Sequence, residues 1–173
     1  MKHLKCVKII LTICLFVTVS STVVAADTNN PTSYDTYIQE SITNVAEEYG
    51  IAPSLMMAIA EVESKGKPKV ISASGDYGLM QINKMNHDWL SEELGITNWF
   101  DVEQNTEAAC YLINWLRENY EECEDVSCCL MAYNMGVSNA KKLWERGIYE
   151  SEYSKKVLDL EYEIGRSLDN AKM

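Results

Sequence analysis

Apolar residues recur along this chain at helical rather than strand spacing. Ile38, Ile42, Val45, Ala46 and Tyr49 fall on one face, and Gly50 closes the turn that follows. Pro53 suits a first helical position, and from Leu55 to Val62 every residue except Glu61 is apolar, as in a helix buried on all sides. The same patterning predicts helices over residues 87–94 (closed by Gly95), 102–120, 127–134, 138–145 and 151–168. Between Val70 and Tyr77 a small extended segment is expected. No stretch alternates convincingly with period two, and neither repeats nor low-complexity segments interrupt the pattern. The expected architecture is a compact, single, all-α domain.

The N-terminus has a different pattern. Lys2, Lys5 and Lys8 precede an uncharged run from Ile9 to Val19, and Val24-Ala25-Ala26 supplies the small residues a signal peptidase needs. Residues 1–26 therefore read as a signal peptide, 27–33 as a polar spacer, 34–168 as the domain and 169–173 as a C-terminal tail. An uncleaved membrane anchor is the rival reading, because the uncharged stretch continues to Ala26 and is just long enough to span. Ser20, Ser21 and Thr22 weaken it. Cys14 lacks the small preceding residue expected of a lipidated cysteine. The protein is expected to be exported, secreted to the cell wall, and to touch a membrane only if the leader is kept.

Charge and cysteines narrow the chemistry. The 173-residue chain carries 15 Lys and Arg against 26 Asp and Glu, a net charge of −11. Losing Lys2, Lys5 and Lys8 with the leader would make it about −14. Such a surface argues against nucleic acid and anionic membranes as partners, so binding must come from short-range contacts in a cleft. Cys110, Cys123, Cys128 and Cys129 remain after the leader. Cys123 and Cys128 bracket a short acidic loop and are the expected disulfide, while Cys110 and Cys129 read as small core residues. His87 would be the only histidine left, so neither a zinc site nor a Cys/His peptidase is supported, and no cofactor is expected.

Glu63 stands apart from the other acids. Counting back three, four and seven residues gives Ala60, Ile59 and Met56, so its side chain continues the apolar stripe of a buried helix. Glu61 lies about 160° round the same axis. Glu63 also occupies the last helical turn, where the dipole is negative, and both surroundings should hold its proton, as a general acid requires. A carboxylate merely satisfied by a backbone N–H or a lysine is the competing reading. Downstream, Ser72, Gly75 and Gly78 mark a turn-rich loop. Leu79, Met80 and Ile82 are expected to anchor it in the core, leaving Gln81 and Asn83 as polar contacts for a sugar.

Three blocks, Ala58-Ile59-Ala60-Glu61-Val62-Glu63-Ser64, Ser72 to Gln81, and Ala132-Tyr133-Asn134-Met135-Gly136, resemble the soluble lytic transglycosylases. That family shares the lysozyme-like fold and cleaves peptidoglycan; the resemblance covers roughly residues 51–160. It implies that Glu63 is the catalytic acid/base and that Ser72, Gln81 and Asn83 contact the glycan. It also implies that Tyr133 sits beside the reacting sugar, hydrogen-bonded near Glu63, although a tyrosine stapling two helices would look the same. Asn134 fits a helix junction as well as a substrate contact, and Tyr153 fits the cleft or the core. The implied reaction joins the 6-hydroxyl of N-acetylmuramic acid to its own C1, leaving a 1,6-anhydromuramyl end, on peptidoglycan strands engaged by a monomer.

Asp76 departs from that pattern. Asp76-Tyr77-Gly78-Leu79-Met80-Gln81-Ile82-Asn83 also resembles a segment of animal-type lysozymes whose aspartate is a second catalytic carboxylate. Asp76 is therefore a turn residue, a substrate contact, or the second carboxylate of a hydrolytic muramidase. A peptidoglycan-binding module without catalysis is the remaining class, and the intact Glu63 block argues against it.

Overall fold

The computed structural model describes residues 36–171, so the leader, the spacer and the anchor question lie outside the described residues. Seven helices carry the fold: α1 Thr36–Glu48, α2 Pro53–Ser64, α3 His87–Leu94, α4 Val102–Asn119, α5 Val126–Met135, α6 Val137–Trp144 and α7 Glu152–Ala171. A small antiparallel hairpin, β1 Asp76–Tyr77 and β2 Ile82–Asn83, projects between α2 and α3, and Ile71 bridges to Tyr77 beside it. The expected extended segment is thus the outer edge of a hairpin whose second strand lies beyond Tyr77. The last helix continues to Ala171, into the segment read as a tail. Among the described residues no helix is long and apolar enough to cross a membrane.

α2 is the axis of the core. Residues Leu55 to Ala60 are all buried, and the helix lies between α1 and α7 while α1 leans on α4. Its stop is built locally. Lys65 and Gly66 both take left-handed backbone, with φ of 57° and 69°, and the Lys65 and Gly66 amides donate to the Glu61 and Ala60 carbonyls at 3.2 and 3.3 Å. That stop sets Glu63 at the mouth of the core rather than inside it. Elsewhere Asp101 and Asp125 accept hydrogen bonds from the first free amides of α4 and α5.

All four described cysteines are free thiols, and the expected Cys123–Cys128 disulfide is not formed. Neighbouring residues on a helix diverge by about 100°, so only one of Cys128 and Cys129 can face the loop before α5. Cys129 meets the Cys123 thiol, and Cys128 turns away to donate to the Tyr149 carbonyl at 3.6 Å. Burial pushes the Cys123 and Cys129 thiols up to about 12 and about 11. Cys110 and Cys129 are core residues, as expected.

Candidate active site

A cleft of about 620 Å³ opens where the end of α2, the hairpin, α3, α4 and the α5–α6 junction meet. Its polar wall holds Glu63, Asp76, Gln81, Asn83, Asn86, Tyr133 and Asn134. Its apolar wall includes Trp89 and Trp115, whose rings meet edge to face at 5.3 Å. Such a mixture suits a ligand with amide and hydroxyl edges and apolar faces.

Two carboxyl groups share this cleft, and their surroundings shift them in opposite directions. Burial raises the pKa of half-buried Glu63, and the negative charge of Asp76 raises it further, against a hydrogen bond that lowers it. That bond comes from the Tyr153 hydroxyl to Glu63 Oε1 at 2.6 Å. Tyr153 sits on α7, which packs along α2, so the first turn of the last helix holds the acid from behind. Asp76 is more open. Burial alone would raise its pKa, but hydrogen bonds from Ser72, Ser74 and Asn83 outweigh it and hold the carboxylate below its ordinary range. Their lengths are 2.5 Å, 2.6 Å and 2.6 Å.

The hairpin that carries Asp76 is bolted down at its turn. Asn105 of α4, fully buried, accepts from the Met80 amide at 2.7 Å and donates to the Tyr77 and Trp99 carbonyls at 3.0 Å each. This packing leaves no room at Gly78, where φ is +82° and a Cβ would overlap the Trp99 carbonyl and the Asn105 amide. Tyr133 donates from its hydroxyl to the Met80 carbonyl at 2.7 Å. It therefore staples α5 to the hairpin instead of bonding to Glu63, while still lining the cleft. His87 stacks on Trp99 at 3.8 Å and bonds the Ile82 carbonyl at 3.1 Å, a packing role.

The remaining site residues fall into two groups. Gln81, Asn83 and Asn134 line the cleft. Gln81 takes left-handed backbone with φ of 51°, unusual outside glycine, and its side-chain Nε2 donates to the Gly78 carbonyl at 2.8 Å. Asn83 divides its amide between Asp76 and the Met85 backbone. Ser72 lies outside the cleft wall and acts on Asp76. Tyr153 likewise touches Glu63 from outside it. Asn105 ends the segment Asp101-Val102-Glu103-Gln104-Asn105, which itself resembles the family, but nothing in that segment showed that it would hold the hairpin. Leu79, Met80 and Ile82 are buried, as the pattern predicted.

Comparison with known proteins adds four findings. Residues 40–157 match the family described as the transglycosylase SLT domain. A transglycosylase of Enterobacteria phage PRD1 is 34% identical over 101 residues, which cover 58% of this chain and 36% of that protein. The membrane-bound lytic murein transglycosylase F of Desulfosudis oleivorans is 30% identical over 104 residues, covering 58% of this chain and 22% of that one. In fold, the chain is similar to the X-ray structure of an inactive mutant of the lytic transglycosylase Slt from Pseudomonas aeruginosa. The TM-score is 0.60 at 18% identity, over 76% of this chain and 24% of that chain. The chain thus spans little more than a third of the phage protein and less than a quarter of the other two.

Proposed function

The chain belongs to the transglycosylase SLT domain family, and we propose that it is a peptidoglycan lytic transglycosylase in which Glu63 is the single acid/base. The carrying observation is the environment of that one carboxyl: half-buried at the end of an apolar helix, beside an ionised aspartate, and aimed by a tyrosine hydroxyl. These surroundings favour the protonated form of the carboxyl, as a general acid requires. The names of the relatives support the substrate, since two are lytic transglycosylases and one of these is described as acting on murein. The change in the inactive Slt mutant is glutamate to glutamine.

In the proposed reaction Glu63 protonates the oxygen joining C1 of N-acetylmuramic acid to N-acetylglucosamine. The C1–O bond breaks and the N-acetylglucosamine hydroxyl leaves. The Glu63 carboxylate then takes the proton of the 6-hydroxyl as that oxygen bonds to C1. Glu63 ends as it began, water is not consumed, and the product carries a 1,6-anhydromuramyl end. Gln81, Asn83, Asn134 and Tyr133 would contact the sugars, with Ser72 acting through Asp76. The enzyme would work outside the cytoplasm, at the wall, as a monomer.

A hydrolytic reading is favoured by one observation: Asp76 lines the same cleft and is held ionised by three donors. An ionised carboxylate there could stabilise a cationic sugar while water attacks. Digesting peptidoglycan and weighing the products separates the two. Anhydro ends support the transglycosylase, reducing ends the muramidase, and intact strands a binding module.

A further inference from the structure

In the first half of the described chain, positive charge is confined to two short segments. Between Thr36 and Leu116 there are twelve Asp and Glu, and the only Lys or Arg are Lys65, Lys67, Lys69 and Lys84. All four lie on segments that adjoin cleft residues in the chain. Lys65, Lys67 and Lys69 lie on the segment that runs from Glu63 to Ser72, and Lys84 sits between the cleft residues Asn83 and Met85. Lys65 is engaged by Glu61 at 3.7 Å. The other three are exposed, and among the described residues none has a carboxylate within ion-pair distance.

The backbone under these lysines is fixed. The Lys67 amide donates to the Ser64 hydroxyl at 3.2 Å, just past the two left-handed residues that stop α2. The Val70 carbonyl, one residue after Lys69, accepts from the Gly78 amide at 2.9 Å and from the Gln81 side chain at 3.3 Å. The Lys84 amide donates to the Gly75 carbonyl at 2.9 Å. The Lys84 stem lies across Gly75, close enough that a Cβ there would sit 3.0 Å from its Cδ.

We propose that Lys67, Lys69 and Lys84 form a cationic rim that binds the carboxylates of the peptide stems on the glycan strand, making peptide-bearing strands the preferred substrate. The proposal rests on the reading of the cleft as a peptidoglycan-cleaving site. The sugar rings offer amides and hydroxyls, which the amide-rich wall of the cleft already matches. The carboxylates of the polymer are on its stems, which branch from the muramic acid whose bond is cut. A chain with a net charge of −11 repels an anionic strand at long range, so unpaired cations beside the cleft supply the local attraction that docking needs. Long, flexible lysines suit carboxylates whose positions vary from stem to stem.

The test compares parent protein with Lys67→Gln/Lys69→Gln/Lys84→Gln on two substrates: strands carrying stems, and the same strands stripped of them by an amidase, with the lactyl carboxylate this exposes on each muramic acid capped as its amide. The parent should cleave stem-bearing strands with the higher kcat/KM. The variant should lose about tenfold on these, the scale of three exposed charge pairs, and stay within about twofold on stripped strands, which also reports its folding. Salt should weaken the parent's preference. Equal losses on both substrates, or no loss on stem-bearing ones, would overturn the rim. So would lysine-dependent binding to stripped walls that keep their phosphate polymers, which would assign the lysines to phosphate. A parent that cleaves neither substrate would sink the cleft reading itself, whereas one that cleaves both equally sinks the rim alone.

Discussion

The end of α2 and the β1–β2 hairpin each present one carboxyl to the same cleft, and they treat it in opposite ways. Glu63 comes off a helix buried from Leu55 to Ala60, so it meets a desolvated setting, one tyrosine hydroxyl and the charge of Asp76. Asp76 comes off a short polar hairpin and receives three hydrogen-bond donors. Desolvation governs the first group and donors govern the second, so the pKa of one is raised and that of the other is lowered. The two are linked, because the ionised Asp76 helps keep Glu63 protonated. The hairpin thereby bears on Glu63 without being part of the proposed proton transfer.

Removing the proposed proton donor should have the largest effect. Glu63→Gln should lower kcat/KM by about 10²–10⁴-fold while glycan binding persists. The same change should raise the Tm near neutral pH. The folded pKa of Glu63 lies above its unfolded value, so the penalty for burying its charge is absent in acid and grows as pH rises through that range. Scanning calorimetry at acid and neutral pH checks the sign.

Releasing the hairpin comes next. Asn105→Ala strands the Met80 amide and the Tyr77 and Trp99 carbonyls, and should cost about 3 kcal/mol in chemical denaturation. Unlike Glu63→Gln, it should lower stability and activity together.

Two smaller changes pull the acid in opposite directions. Tyr153→Phe removes the bond that lowers the Glu63 pKa, so the alkaline limb of the pH–rate profile should move to higher pH while kcat falls about tenfold. Asp76→Asn removes the charge that raises that pKa, so the limb should move to lower pH with only a few-fold loss of rate. Limbs that moved the same way would break the linkage between the two regions. A hundredfold loss at Asp76 would instead favour the hydrolytic reading.

Local information carried far in the sequence and then stopped. The apolar stripe through Met56, Ile59 and Ala60 was enough to place Glu63, and Leu79, Met80 and Ile82 were enough to anchor the hairpin. Contacts between distant segments were not legible. Tyr153 reaches Glu63 across 90 residues of chain, and Tyr133 bonds Met80 across 53. Nothing in the spacing separates such a bond from a tyrosine packed in the core. Asn105 is a single polar residue whose three partners exist only once α4 meets the hairpin. The cysteines failed for a different reason: loop length brought Cys128 within range of Cys123, but helix phase gave that face to Cys129.

The most direct test of a single acid/base is the origin of the new end. Peptidoglycan digested in heavy-oxygen water should yield 1,6-anhydromuramyl products without the label, and Glu63→Gln should yield none. Labelled reducing ends from the parent, lost on Asp76→Asn, would show that both carboxyl groups serve a hydrolase and would contradict the account.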